Sequence, residues 1–169
     1  LVFFTNYMGR KGRSLFANPK AAVCFHWDVL DRQVRFEGLV TQSPSGESDA
    51  YFAGRPLVSR VSAWASDQSR PVASRQVMLD KLNAVAASFE VNLDTDGDAR
   101  GTSGVGAKVP RPPHWGGFRL WIRRVELWVG GVGRLHDRAE WNRTLAPTGV
   151  DGAEGYRSTS EWVSNRVQP

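Results

Sequence analysis

The stretch "GFRLWIRRVELWVG", residues 117–130, constrains the fold of this chain more than any other. Phe118, Leu120 and Ile122 alternate with polar or half-polar neighbours, and the apolar set then changes phase at Arg123–Arg124 to Val125, Leu127 and Val129. A two-residue period belongs to a strand with one face in a core. The change of phase is what a bulge or a bend produces. A long strand of this kind needs partners, and the chain offers five. "LVFFTN" (1–6) and "AAVCFHW" (21–27) are short apolar strands. From Gln33 onward Val34, Phe36, Gly38 and Val40 alternate with Arg35 and Glu37, and this strand forms a hairpin with its predecessor across "DVLDR". "RLHDRAEWNR" (134–143) and "EWVSNRVQP" (161–169) complete six strands, the last two separated by a flexible "TLAPTGVDGAEGYRSTS".

Helices are expected between the third and fourth strands. "SGESDAYFAGRP" holds a short helix that stops before Pro56, "PLVSRVSAWAS" opens on a proline tolerated in a first turn, and "SRQVMLDKLNAVAASFE" sets Met78, Leu82, Val85 and Phe89 on one apolar stripe. Residues 92–117 are rich in Gly, Asp, Ser and Pro and read as a long loop, flexible over 92–113. Within it "DTDGDARGTSGV" is no calcium loop: glycine stands fourth where an EF-hand needs it sixth, and Val105 occupies the place of the bidentate glutamate. The pattern is mainly β (α+β) with a helical insertion, an antiparallel barrel or sandwich flanked by helices.

With 169 residues the chain is expected to form one domain, 1–169. Its formal charge of +5 suits a polyanion or a phosphorylated small molecule as partner. Of its 22 basic residues only Lys11, Lys20, Lys81 and Lys108 are lysine, and the 18 arginines are scattered, which favours discrete bidentate sites over a nucleic-acid tail. Cys24 is the only cysteine, and Cys24, His26, His114 and His136 lack the spacing of a metal site. The lone cysteine, the lack of a long apolar run and the lack of a signal peptide lead us to expect a soluble cytoplasmic protein, with no membrane or nucleic-acid partner. The opening on "LVFFTN" without methionine, as though inside a strand, leads us to expect further residues upstream.

Four stretches could carry chemistry. "GRKGR" sets Arg10, Lys11 and Arg13 at a strand-to-helix turn, where backbone amides, a helix N-terminus and cations could hold a phosphate; the plain alternative is a solvated basic turn. Tyr51, Arg55 and Ser59 are spaced by four, so that two hydroxyls and a guanidinium would converge on a phosphate if the helix bends only slightly at Pro56; otherwise they are a helix flank. Gln68 and Ser69 in a loop, and Gln33 on its strand, could bond a polar ring edge or a phosphate, and Trp128 could stack on a flat ring or sit in the core. In "RLHDR" an extended chain would put Arg134, His136 and Arg138 on one cationic face, with Leu135 and Asp137 opposite.

The order of these signals is more telling than any one of them. "FFTNYMGRKGR", "WDVLDRQVRFEG", "YFAGRPLVSRVSAWASDQS", "VPRPPHWGGFRL", "ELWVGGVGRLHDR" and the ending "RVQP" together resemble the pyridoxamine 5'-phosphate oxidase family, from Leu1 to Pro169 apart from 92–108 and 144–158. The resemblance implies a six-stranded Greek-key split β-barrel with flanking helices, a homodimer with FMN at the subunit interface. It also implies that pyridoxamine or pyridoxine 5'-phosphate is oxidised to pyridoxal 5'-phosphate while O2 becomes H2O2. By that resemblance Arg10 and Lys11, helped by Ser69, hold the FMN phosphate; Phe4, Thr5, Gln33, Gln68, Trp128 and Arg138 line the flavin. Tyr51, Arg55 and Ser59 bind the substrate phosphate, and Arg134 and His136 meet the substrate ring as the catalytic pair, whereas Asp137 pairs with a structural arginine. The family's preceding strand, with an arginine for FMN and a lysine for the substrate phosphate, has no counterpart here. The competing readings are a split-barrel flavoenzyme for another aromatic substrate, as in phenazine biosynthesis, and a flavin or pyridoxal phosphate binder without turnover.

Overall fold

The computed structural model describes residues 1–93, 109–150 and 153–169. The elements in order are β1 (Val2–Asn6), α1 (Arg10–Ala17), β2 (Lys20–Trp27), β3 (Arg32–Gln42), α2 (Ser45–Ala53), α3 (Leu57–Ala65), α4 (Arg75–Ser88), β4 (Trp115–Val129), β5 (Asp137–Asn142), β6 (Leu145–Val150), β7 (Ala153–Ser158) and β8 (Val163–Val167). Six strands form one sheet in the order β2-β3-β4-β5-β8, with β1 also paired to β4. The β2–β3, β3–β4, β4–β5 and β5–β8 pairs are all antiparallel. The stretch expected to be a flexible connection instead forms a separate hairpin, β6 with β7, in which Pro147 faces Tyr156. The strand count is therefore eight among the described residues, because the Gly and Pro content of that segment hid a short two-stranded ladder. Most of the Gly/Asp-rich stretch, including the calcium-loop lookalike, lies outside the described residues.

The change of phase in β4 is a bulge. Glu37 pairs with Arg124 and Gly38 with Ile122, so Arg123 is the extra residue. The bulge keeps one face apolar along the whole strand: Phe118, Leu120 and Ile122 stand opposite Gln42, Val40 and Gly38, and Val125 and Leu127 opposite Phe36 and Val34. A side chain at Gly38 would run into the Trp121 carbonyl, so this crossing needs glycine.

The chain gathers into two compact units, residues 1–2, 17–42 and 118–169 in one and residues 3–16 and 43–117 in the other. The first is the sheet, with Val40, Phe118 and Leu120 buried on its apolar face. The second is helical, with Leu57, Val61, Ala86 and Val109 as one cluster, and Phe52, Ala63 and Trp115 as another against which Phe4 packs. In α4, Leu82, Val85 and Phe89 pack on the first cluster as expected, but Met78 at the start of the stripe is 50% exposed. Ser74 caps this helix, its hydroxyl accepting from the Val77 amide at 3.2 Å. No helix among the described residues is long and apolar enough to cross a membrane.

Candidate functional site

In the helical unit, Tyr51, Arg55 and Ser59 do not share one bent helix. α2 ends at Ala53, Pro56 is extended with ψ 142°, and α3 starts at Leu57, because proline has no amide to continue the ladder and disfavours a helical residue before it. Arg55 is thereby left in the junction, with Tyr51 in the last turn of α2 and Ser59 in the first turn of α3. The Arg55 guanidinium lies over the Trp115 ring at 4.7 Å and the Phe52 ring at 5.6 Å. Burial lowers its pKa from the ordinary arginine value, and Tyr51 partly opposes that shift. Its Nη1 is buried and finds no hydrogen-bond partner among the described residues. Buried donors are rarely left this way. Tyr51 stacks on Phe4 with centroids 3.8 Å apart and planes at 6°, and Phe4 stacks in turn on Trp115 at 5.6 Å.

The β1–α1 turn and the loop after α3 are tied together in the same unit. The Thr5 hydroxyl donates to Gln68 Oε1 at 3.4 Å and the Asn6 amide to the Ser66 carbonyl at 3.4 Å, while Asn6 Oδ1 accepts from the Met8 amide at 2.8 Å. Gln68 Oε1 also sits where any side chain at Gly9 would have to go. Ser69 has a left-handed φ of 67°, uncommon for a residue other than glycine and a mark of a functional or strained position. α1 opens on Arg10 and Lys11, both exposed, with no acidic residue in its first turn. Cations at the positive end of a helix oppose its dipole, and an anion there relieves both. The donor set thus suits the phosphate of a cofactor such as FMN.

The remaining candidates lie in the sheet unit. Gln33 on β3 is paired with Trp128 on β4, and these two with Trp27, Leu30 and Val129 line a hollow of about 370 Å³. Trp128 leans on His136, with centroids 4.8 Å apart at 41°. The Gly131 amide donates to His136 Nδ1 at 3.2 Å, which leaves Nε2 to carry the proton of the neutral ring. The single cationic row expected from "RLHDR" is not formed. Residues 132–134 make a 3-10 turn in which Gly133 and Arg134 have φ of 66° and 65°, and β5 begins only at Asp137. Two left-handed residues in succession cannot belong to a strand. Arg134 is therefore exposed on a turn, His136 precedes the strand, and only Arg138 lies on it. His136 and Arg138 still line one hollow of about 460 Å³ together with Arg166 and Gln168. Asp137 pairs with Arg166 at 3.4 Å.

Three residues that the sequence reading left aside carry much of this geometry. Glu126, 4% exposed, accepts from Arg138 Nε and Nη2 at 3.2 and 3.0 Å, with Arg124 at 3.4 Å and Arg35 at 3.6 Å on its other oxygen. Arg138 also donates to the Gln168 carbonyl at 2.9 Å. Glu37 and Glu140 complete the network, at 2.6 Å from Arg35 and 2.7 Å from Arg124. Arg111 ties α2 to the start of β4, donating to Asp49 at 2.6 Å, to Ser45 at 2.9 Å and to the Trp115 carbonyl at 2.6 Å. That pair holds the Asp49 carboxyl below its usual range. Trp115 underlies Arg55. A glutamate in an alternating strand and an arginine in a proline-rich loop look solvent-exposed in sequence, so only the Trp-Gly-Gly start of β4 carried a usable signal.

Comparison with known proteins shows the family. A family profile described as pyridoxamine 5'-phosphate oxidase matches residues 1–89, and one described as the pyridoxine 5'-phosphate oxidase C-terminal dimerisation region matches residues 115–169. A pyridoxine/pyridoxamine 5'-phosphate oxidase from Gloeothece citriformis is 47% identical over 168 residues, 99% of this chain and 65% of the relative. One from Cupriavidus metallidurans is 48% identical over 142 residues, 84% of this chain and 59% of the relative. The chain therefore spans about 59–65% of the length of these two relatives. Among solved structures, PhzG from Burkholderia lata, in complex with tetrahydrophenazine-1-carboxylic acid, superposes with a TM-score of 0.72 at 25% identity, covering 99% of this chain and 68% of that one. A pyridoxamine 5'-phosphate oxidase-related, FMN binding protein from Nostoc punctiforme shares the fold at a TM-score of 0.61 and 15% identity, covering 100% of this chain and 72% of that one. The antiparallel sheet with its helical insertion is thus a split-barrel fold, and with the two profiles together covering residues 1–89 and 115–169, this chain belongs to the pyridoxamine 5'-phosphate oxidase family.

Proposed function

We propose that this chain carries the FMN and substrate-phosphate sites of an FMN-dependent oxidase that converts pyridoxamine or pyridoxine 5'-phosphate to pyridoxal 5'-phosphate, with O2 reduced to H2O2. The observation that carries the reading is Arg55, a half-buried guanidinium whose buried Nη1 has no partner among the described residues, flanked in sequence by the hydroxyls of Tyr51 and Ser59. Such a group calls for an oxyanion, and charge-assisted bonds of about 1.5–3 kcal/mol each make a phosphate a firm handle. Arg10 and Lys11 at the start of α1, with Ser69, form the second phosphate site, for the cofactor. Phe4, Thr5, Gln33, Gln68, Trp128 and Arg138 are assigned to the flavin. FMN, when bound, supplies the hydride acceptor that dioxygen reoxidises. His136, held through Nδ1 by the Gly131 amide so that Nε2 can donate, and Arg134 on its turn are assigned to the substrate ring. Placement matters because misalignment of about 1 Å can cost on the order of 100-fold in rate.

Homodimer formation is part of the proposal. Phe25, Trp27, Leu127 and Val129 share the apolar sheet face yet are 38–47% exposed, more apolar surface than a strand face leaves to water without a cover. A second copy of the chain supplies that cover, in line with the description of the profile matched by residues 115–169. The single cysteine fits a reducing cytoplasm.

The test is titration of the purified chain with FMN, followed by addition of pyridoxamine 5'-phosphate. We expect a bound-flavin absorbance spectrum and stoichiometric peroxide. A chain that stays colourless with excess FMN overturns the cofactor assignment. Bound flavin that yields peroxide only with a tricyclic aromatic acid favours the reading suggested by the PhzG likeness.

A further inference from the structure

The position of Trp115 deepens the proposed function, on which the following rests. A half-buried guanidinium can be compensated in two ways. A carboxylate neutralises it and occupies its in-plane N–H donors; an aromatic face attracts the charge through the ring quadrupole and leaves those donors unspent. Arg55 takes the second course, with Trp115 at 4.7 Å and Phe52 at 5.6 Å, and Nη1 remains buried and unbonded among the described residues. The indole is itself rigidly set. It is 7% exposed, meets Phe52 edge-on at 5.0 Å and 67°, and its backbone carbonyl accepts from Arg111 Nη1 at 2.6 Å. Through Phe4 the same ring is continuous with the Tyr51 stack, with Phe4 centroids 5.6 Å from Trp115 and 3.8 Å from Tyr51. One indole therefore orients both an anion-binding guanidinium and, through Phe4, a hydroxyl on the neighbouring helix.

We propose that Trp115 is the positioning residue of the substrate-phosphate site: its π-face holds Arg55 charged and oriented, without consuming the donors that grip the phosphate, and so sets the preference for phosphorylated over unphosphorylated substrate.

The experiment measures the affinity of the FMN-loaded chain for pyridoxal 5'-phosphate and for pyridoxal by calorimetry, in the parent, in Trp115→Leu and Trp115→Phe, and in a chain whose Trp115 indole is replaced by a fluorinated analogue of the same shape. We expect Trp115→Leu to weaken pyridoxal 5'-phosphate binding about tenfold while pyridoxal binding stays unchanged, and Trp115→Phe to restore most of the loss. The fluorinated ring keeps the packing and weakens only the quadrupole, so it reports even where Trp115→Leu does not fold; an intermediate, phosphate-specific loss is expected. In turnover the loss falls on KM for the phosphorylated substrate, with kcat retained. Equal loss of both ligands, or fluorinated and parent chains that bind pyridoxal 5'-phosphate alike, overturns the positioning role. A parent that does not prefer the phosphorylated ligand instead overturns the assignment of Arg55 to phosphate, and this proposal with it.

Discussion

Glu126 shows how much a single buried carboxylate organises. It sits under Arg138, Arg124 and Arg35, and the surrounding network holds three glutamates against three arginines, so the charges balance across β3, β4 and β5. Removing one partner of a buried ion pair leaves the others uncompensated, which costs about 3–5 kcal/mol. Glu126→Ala is therefore expected to lower unfolding free energy by that amount in urea titration, and to weaken FMN binding because Arg138 loses the acceptor of its Nε and Nη2. At this scale the local signals are mixed. The arginine excess points to discrete anion sites, and Arg55 stands out by its spacing from Tyr51 and Ser59. Nothing in "VELW" separates a glutamate in water from one sealed beneath three guanidiniums, since both alternate in the same way.

Among the elements, the bulge in β4 was legible because it moves an apolar pattern from one phase to the other, and only one extra residue does that. Its partner position was not legible. Gly38 reads as one more small residue in an alternating strand, yet it is where β3 passes closest to the Trp121 carbonyl. Gly38→Ala is expected to destabilise the chain by about 1–3 kcal/mol, an overpacking cost visible as a lower thermal midpoint. The "GGVGR" turn has the opposite history. An alternating pattern runs through Arg134, but the left-handed φ at Gly133 and Arg134 ends any strand there and delays β5 to Asp137. The break at Pro56 was legible, since a helix that stops before the proline and another that opens on it become α2 and α3, and that break leaves Arg55 in a junction between two helices.

For the molecule as a whole, the exposed apolar end of the sheet is the feature that a single chain does not resolve. Leu127→Asp places a charge on that face, and the mutant is expected to sediment as a monomer where the parent is expected to sediment as a dimer, with FMN affinity reduced in step. A parent that sediments as a monomer at micromolar concentration would remove the argument for a second copy. The sequence by itself determined the strand-rich class, the helical insertion, the bulge and the family, because these rest on periodicity and on ordered local motifs that each residue carries with it. Only the tertiary structure decided which cations are paired and which are left free: Arg138 is bound to Glu126, whereas Arg55 is stacked on an indole with a donor to spare. That distinction depends on which groups distant in the chain are brought within about 3 Å of one another, and free energies of pairing and desolvation are set by that distance and by burial, neither of which a local pattern records.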